Sequence, residues 1–132
     1  MREGVGVVRD WMTRDPVVVS PAAQVGQVVG LMRGQGIRHV LVMDGEELVG
    51  IVSDRDVRGL SAASTVVHAM SEIPFTVEPA TGLTEAAHAM LDRKIGALPV
   101  LDGARPVGIL TRADALEALL AWADAEQRPP AR

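Results

Sequence analysis

At 132 residues the chain has the size of one compact domain, or of two small halves sharing a core. Its hydrophobic fraction is 48% but its aromatic fraction only 2%, so the interior must be packed from Val, Leu, Ile, Ala and Met, and the lack of cysteine excludes disulfides, thiolate metal sites and cysteine nucleophiles. A formal charge of −4 disfavours nucleic acid unless a local basic face exists. No apolar run reaches the ~18 residues of a membrane span, and "MREGVGVVRD" is too charged for a signal peptide, so the expectation is a cytoplasmic protein with no membrane or nucleic-acid partner.

Along the chain, "VVRDWMT" suggests a short helical turn leading into the β-branched run "VVVSP". Ser20 and Pro21 read there as N-cap and first helical residue. Val25, Val28, Val29 and Met32 then form one helical stripe that Gly36 is suited to stop. "HVLVM" and "ELVGIV" around "DGE" predict a hairpin, and Ser53 opens a second helix. "SAASTVVHAMS" carries another short helix, after which the whole order returns.

Shifting the chain by 58 residues places Met12 on Met70, Pro21 on Pro79, Ile37 on Ile95, Gly50 on Gly108 and Asp56 on Asp114 without a gap. The chain is a tandem duplication, with expected boundaries of 1–62, 63–124 and a disordered tail at 125–132. Leu83, Ala86, Ala87, Met90 and Leu91 repeat the helical stripe. "ALPVL" and "PVGIL" repeat the hairpin, and Thr111 opens a longer final helix with Leu116, Leu119, Leu120 and Ala123 on one face. Strand, helix and hairpin in each half predict an α/β fold of mixed sheets, with one parallel and one antiparallel pairing per repeat.

Both repeats close on a hydroxyl residue followed three positions later by an acid: Ser53 and Asp56, then Thr111 and Asp114. Such strings form capping boxes, in which the hydroxyl satisfies an orphan amide and the acid reaches back. A helix N-terminus at the carboxyl end of a strand is also an anion site, and an outward Asp accepts hydrogen bonds from a ribose diol.

The strings "MTRDPVVVSP" and "MSEIPFTVEP", "GIRHVLVMD" and "IGALPVLD", and "LVGIVSDRD" and "PVGILTRAD" resemble those of a pair of cystathionine beta-synthase (CBS) domains, or Bateman module, over about residues 8 to 120. The resemblance implies tandem β-α-β-β-α repeats packed about a pseudo-two-fold axis, with clefts that bind AMP, ADP, ATP or S-adenosylmethionine as a regulatory ligand. It implies that Asp56 and Asp114 hold ribose hydroxyls, with Ser53 and Thr111 near the ribose or phosphate. By position it nominates Thr13, Val17 and Val18, with Ser71, Phe75 and Thr76, around the adenine, and Arg38 and His39 at the phosphates. Gly96 and Ala97 stand opposite Arg38 and His39 in the second repeat, so two equal sites are not expected, although Arg55 and Arg112 lie close enough in sequence to compensate.

Gly26, Gly30 and Gly34 recur on the helix face away from the apolar stripe, each weakening the helix by about 0.8–1 kcal/mol relative to Ala. Close approach of a helix in a homodimer explains them, and Leu119, Leu120 and Trp122 add a surface for it. Trp11 suits either that surface or a lid on the core. His39, His68 and His88 have no companions at metal-ligand spacing, and no nucleophile, P-loop or dinucleotide motif occurs. The expectation is therefore a stand-alone, non-catalytic module, without metal, that senses an adenosine ligand and acts in trans on an unknown partner. The alternative is a structural adaptor dimer in which the acids are only helix caps.

Overall fold

The duplication returns in space at the same offset. The computed structural model describes residues 4–72 and 75–127. A 3-10 turn at Val8–Asp10 precedes β1 (Thr13–Arg14), β2 (Val18–Val19), α1 (Val25–Gln35), β3 (His39–Asp44) and β4 (Glu47–Ser53). A second 3-10 turn at Val66–His68 precedes β5 (Ser71–Glu72), α2 (Leu83–Arg93), β6 (Ala97–Asp102), β7 (Arg105–Thr111) and α3 (Arg112–Gln127). The parallel partner of β6 is reduced to a bridge between Val77 and Val100. The hairpins match in register and bulge at equivalent places, between Val42 and Met43 and between Val100 and Leu101.

Sequence order and spatial order differ where the repeats meet. β5 pairs antiparallel with β4, and β1 crosses over to pair with β7, giving sheets ordered β2-β3-β4-β5 and β1-β7-β6. The first core contains Val25, Val28, Val40, Val42 and Val52 together with Val66 from the connecting segment. The second contains Leu83, Ala86, Leu98, Val100 and Leu110 together with Val8 from the N-terminal segment. Each repeat is thus completed by the segment that precedes the other one. Strand alternation turns Leu41 and Pro99 away from these helix-side cores. Both are nevertheless fully buried.

The same exchange overrides the local helix signals. α1 begins at Val25 with Gln24 as N-cap, not at Pro21, and Ser20 Oγ accepts only from the Ala22 amide in a turn. The amides of Val25 and Gly26 instead donate to the carbonyls of Ser64 and Ala62, at 2.8 and 2.9 Å. At the equivalent place in α2 the Leu83 amide donates to the Gly6 carbonyl at 3.0 Å. Backbone from a distant segment satisfies the first helical donors, so no side-chain cap is needed.

Gly50 and Gly108, three residues before Ser53 and Thr111 in the two repeats, have a packing reason. A Cβ at Gly50 would collide with the thioether of Met70, and one at Gly108 would lie 2.6 Å from Met12 Sδ and 2.9 Å from the Thr13 carbonyl oxygen. Two other expectations need correcting. Ser53 does not open an α-helix: consecutive turns run to Gly59, with the Arg58 amide donating to Arg55 and that of Leu60 to Val57. α3 runs to Gln127, so residues 125–127 are helical, while 128–132 lie outside the described residues.

The helix surfaces also differ in part from the sequence reading. α3 meets the core through the fully buried Ala118, and Leu116, Leu119 and Leu120 stay more than half exposed. Small residues on the contacting face let the helix sit close, so its larger side chains point outward. Gly26 lies under Ala62 of the same chain, whereas nothing packs where a Cβ would stand at Gly30 or Gly34. Trp11 is a lid, packed on the second core with its indole N–H donating to the Val5 carbonyl at 2.7 Å.

Candidate functional site

The ends of the two hairpins define a cavity of about 530 Å³ between the repeats, within the range of small-molecule pockets. Residue 39 pairs with residue 53 in the first hairpin, and the Asp54 amide donates to the Arg38 carbonyl at 2.9 Å. These bonds fold the turn after β4 over the start of β3. Arg38, His39, Ile51, Ser53, Asp54, Arg55 and Asp56 therefore share one wall, extended by Ser71, Glu72 and Phe75. Lys94, Ile95, Gly96, Ala97, Pro99 and Arg112 form the other wall.

Both capping boxes are made. The Ser53 amide donates to Asp56 Oδ2 at 2.8 Å and the Asp56 amide to Ser53 Oγ at 3.1 Å. The Thr111 and Asp114 pair repeats this at 2.9 and 3.2 Å. Among the described residues nothing donates to the second carboxylate oxygen of Asp56, which borders the cavity. Capping thus commits only one oxygen of this carboxylate.

The cavity is cationic within an acidic protein. Arg38, Arg55, Lys94 and Arg112 outnumber Asp54, Asp56 and Glu72 around it. None of the four cations makes a salt bridge among the described residues, where Asp54 has Arg58 at 3.7 Å. The loss of Arg38's counterpart in the second repeat is made good from another position: the Arg112 guanidinium carbon lies 3.5 Å from where a Cβ would stand on Gly96. Glycine leaves the space that the arginine fills. Burial pushes the His39 imidazole below its ordinary pKa, an effect opposed by Asp54 and Asp56, reinforced by Arg38 and opposed again by Asp114.

The walls include Arg38, His39, Ser53, Arg55, Asp56, Ser71, Phe75 and Arg112 from the sequence-derived candidates. Thr13, Val17, Val18, Thr76, Thr111 and Asp114 are not on them. Thr13 pairs with Ile109, and the Val17 carbonyl accepts from the Leu41 amide, which places these residues on the pseudo-symmetric side. Sequence reasoning did not nominate Ile51, Asp54, Glu72, Lys94, Ile95 or Pro99, and it named Gly96 and Ala97 only as the counterparts of Arg38 and His39. Lys94 was the accessible signal among them: the 58-residue shift sets it on Gly36, the helix stop of the first repeat.

That position is left-handed in both repeats, φ 65° at Gly36 and φ 57° at Lys94. The conformation is free for glycine and costs a side-chain-bearing residue about 1–2 kcal/mol. Next to it, the Arg93 guanidinium stacks 4.1 Å from the centroid of the Phe75 ring, holding that ring at the edge of the cavity. No group of three or more His, Asp or Glu able to hold a metal ion occurs among the described residues, and none of their helices is long and apolar enough to cross a membrane.

Comparison with known proteins agrees with this architecture. The chain is 35% identical over 116 residues to an inosine-5'-monophosphate dehydrogenase of Korarchaeum cryptofilum, a match covering 86% of the chain but only 24% of that enzyme. The crystal structure of CBSX2 in complex with AMP superposes with a TM-score of 0.76 at 28% identity, covering 88% of this chain and 97% of that one. The cytosolic domain of the Mg2+ channel MgtE in complex with ATP gives a TM-score of 0.74 at 28% identity, over 85% of this chain and 48% of that one. The CBS domain family model matches twice, at residues 8–63 and 64–121. The unit whose strings, hairpins and capping boxes recur at one fixed spacing is therefore a CBS domain, and the chain belongs to that family as a tandem pair.

Proposed function

We propose that this CBS pair is a regulatory module that binds an adenine nucleotide in the cavity between its repeats, with Asp56 on the ribose and Arg38, Arg55, Arg112 and His39 toward the phosphates. The observation that carries the reading is the convergence on one cavity of a carboxylate with one uncommitted oxygen and four cations that make no salt bridge among the described residues. The complexes of CBSX2 with AMP and of MgtE with ATP support the ligand class. A cationic lining favours a phosphate over the sulfonium of S-adenosylmethionine. In this reading the module binds and signals without turnover.

Ligand contacts from both repeats would favour one packing of the two sheets over others, and that differential affinity is the signal a partner in trans reads. The exposed leucines of α3, with Leu91 of α2 at 75% exposure, support a homodimer through these helices as the element that transmits it. Thermal denaturation with AMP, ADP and ATP tests the reading. Ligand at 100 times its Kd adds about 2.7 kcal/mol, a rise of several degrees at this size. Unmoved melting temperatures with all three nucleotides would reject it.

A further inference from the structure

Resting on the reading of the cavity as an adenine-nucleotide site, we propose that Lys94 sets its preference for phosphate chain length, favouring nucleoside di- and triphosphates over monophosphates. Pseudo-symmetry supplies the control. The backbones at residues 36 and 94 match, with φ/ψ of 65°/35° and 57°/44°, and each is the C-cap of its helix. The first repeat uses glycine, which is unstrained there, and the second holds a lysine against the same conformational preference. Helix termination alone does not call for that side chain.

Two further observations give the lysine its role. Arg38, Arg55 and Arg112 line the cavity together with Asp54, Asp56 and Glu72, so without Lys94 the lining carries as many anionic groups as cationic ones. Lys94 is the cation that makes the lining net positive, and a longer, more highly charged phosphate chain gains more from it than a monophosphate does. Lys94 also stands where α2 ends, at the partly negative pole of the helix. Its ammonium charge offsets that pole beside the cavity the residue lines. The lysine carries no salt bridge among the described residues that would commit its charge elsewhere.

The test is calorimetric titration of the full chain and of K94G with AMP, ADP, ATP and inorganic tripolyphosphate, without added magnesium. Glycine is at home in the left-handed backbone, so the variant keeps the fold while losing the charge. The expected result is ATP and tripolyphosphate binding weakened about tenfold, the scale of one charge-assisted contact, with AMP changed less than twofold and K94R restoring ATP. Equal weakening of AMP and ATP, or no change in either, overturns the role of Lys94 while leaving the nucleotide site standing. Tripolyphosphate binding to the parent chain without any nucleotide binding removes the adenosine reading, and K94G against tripolyphosphate then decides the lysine by itself. Failure of all four ligands to bind the parent chain overturns both.

Discussion

Ser53 and Asp56 hold each other by two reciprocal hydrogen bonds, amide to Oδ2 at 2.8 Å and amide to Oγ at 3.1 Å, and Thr111 and Asp114 repeat the arrangement. Capping therefore does not distinguish the two acids, but position does, since only Asp56 borders the cavity. Asp56→Ala and Asp114→Ala should each lower unfolding free energy by about 0.5–2 kcal/mol, as a lost cap does. Asp56→Ala should in addition abolish the thermal shift given by nucleotide, which Asp114→Ala should retain. If both variants lose only stability and keep the shift, the acids are caps alone and the adaptor reading gains.

The two glycines of the repeated string should differ in tolerance. At Gly50 the obstructing atoms belong to the flexible Met70 side chain, whereas at Gly108 the Thr13 carbonyl oxygen stands in the way as well. Overpacking of this kind costs about 1–3 kcal/mol. Gly108→Ala should fall at the upper end, and shortening Met12 should not rescue it. Gly50→Ala should fall at the lower end and be largely restored by Met70→Ala. Urea denaturation of the four variants measures both the order and the rescue.

What the sequence made legible follows from how local each determinant is. The 58-residue shift, the hairpins and both capping boxes depend on residues within a few positions of each other, and periodicity exposes them. The start of α1 was misplaced because its first donors are met by Ser64 and Ala62, about forty residues away, while Ser20 and Pro21 made a convincing local signal for a turn instead. Arg112 was only a loose candidate, since its value depends on the space left by Gly96 on a different strand. Lys94 was passed over because a lysine at a helix end usually reads as a favourable dipole contact, and only the backbone angle shows that it occupies glycine's place.

His39 should give both stability and binding a pH dependence. Burial lowers its folded pKa below the ordinary 6.5, so between that lower value and about 6.5 the unfolded chain binds more protons than the native one. Stability must rise with pH across this window and be lost as pH falls through it. His39→Ala, which copies Ala97 of the second repeat, should flatten that slope. A bound phosphate opposes the lowering by favouring the imidazolium, while the cationic site also favours the dianion of a phosphate whose own second pKa is about 6, so near pH 6 the parent chain should take up more protons on binding nucleotide, or release fewer, than His39→Ala does. Calorimetry of both proteins in two buffers of different ionisation enthalpy reads the difference; equal proton exchange by the two at pH 6 would separate His39 from the phosphates.

The crossed packing of the segments preceding the repeats makes stability non-local in a measurable way. Val8 is fully buried against Leu83, Leu98 and Leu110, far from it in sequence, and its amide donates to the Thr81 carbonyl at 2.8 Å. Val66 is the matching plug of the first core, its amide donating to the Ala23 carbonyl at 2.7 Å. Truncating either to Ala removes two buried methyl groups from a packed interior, a loss of about 1–3 kcal/mol. The location of the damage is the sharper test. Hydrogen exchange in Val8→Ala should accelerate in α2 and β6 more than in α1 and β3, and Val66→Ala should show the reverse. Acceleration confined to the turn carrying the substitution would mean that each repeat closes its core without the segment that precedes the other.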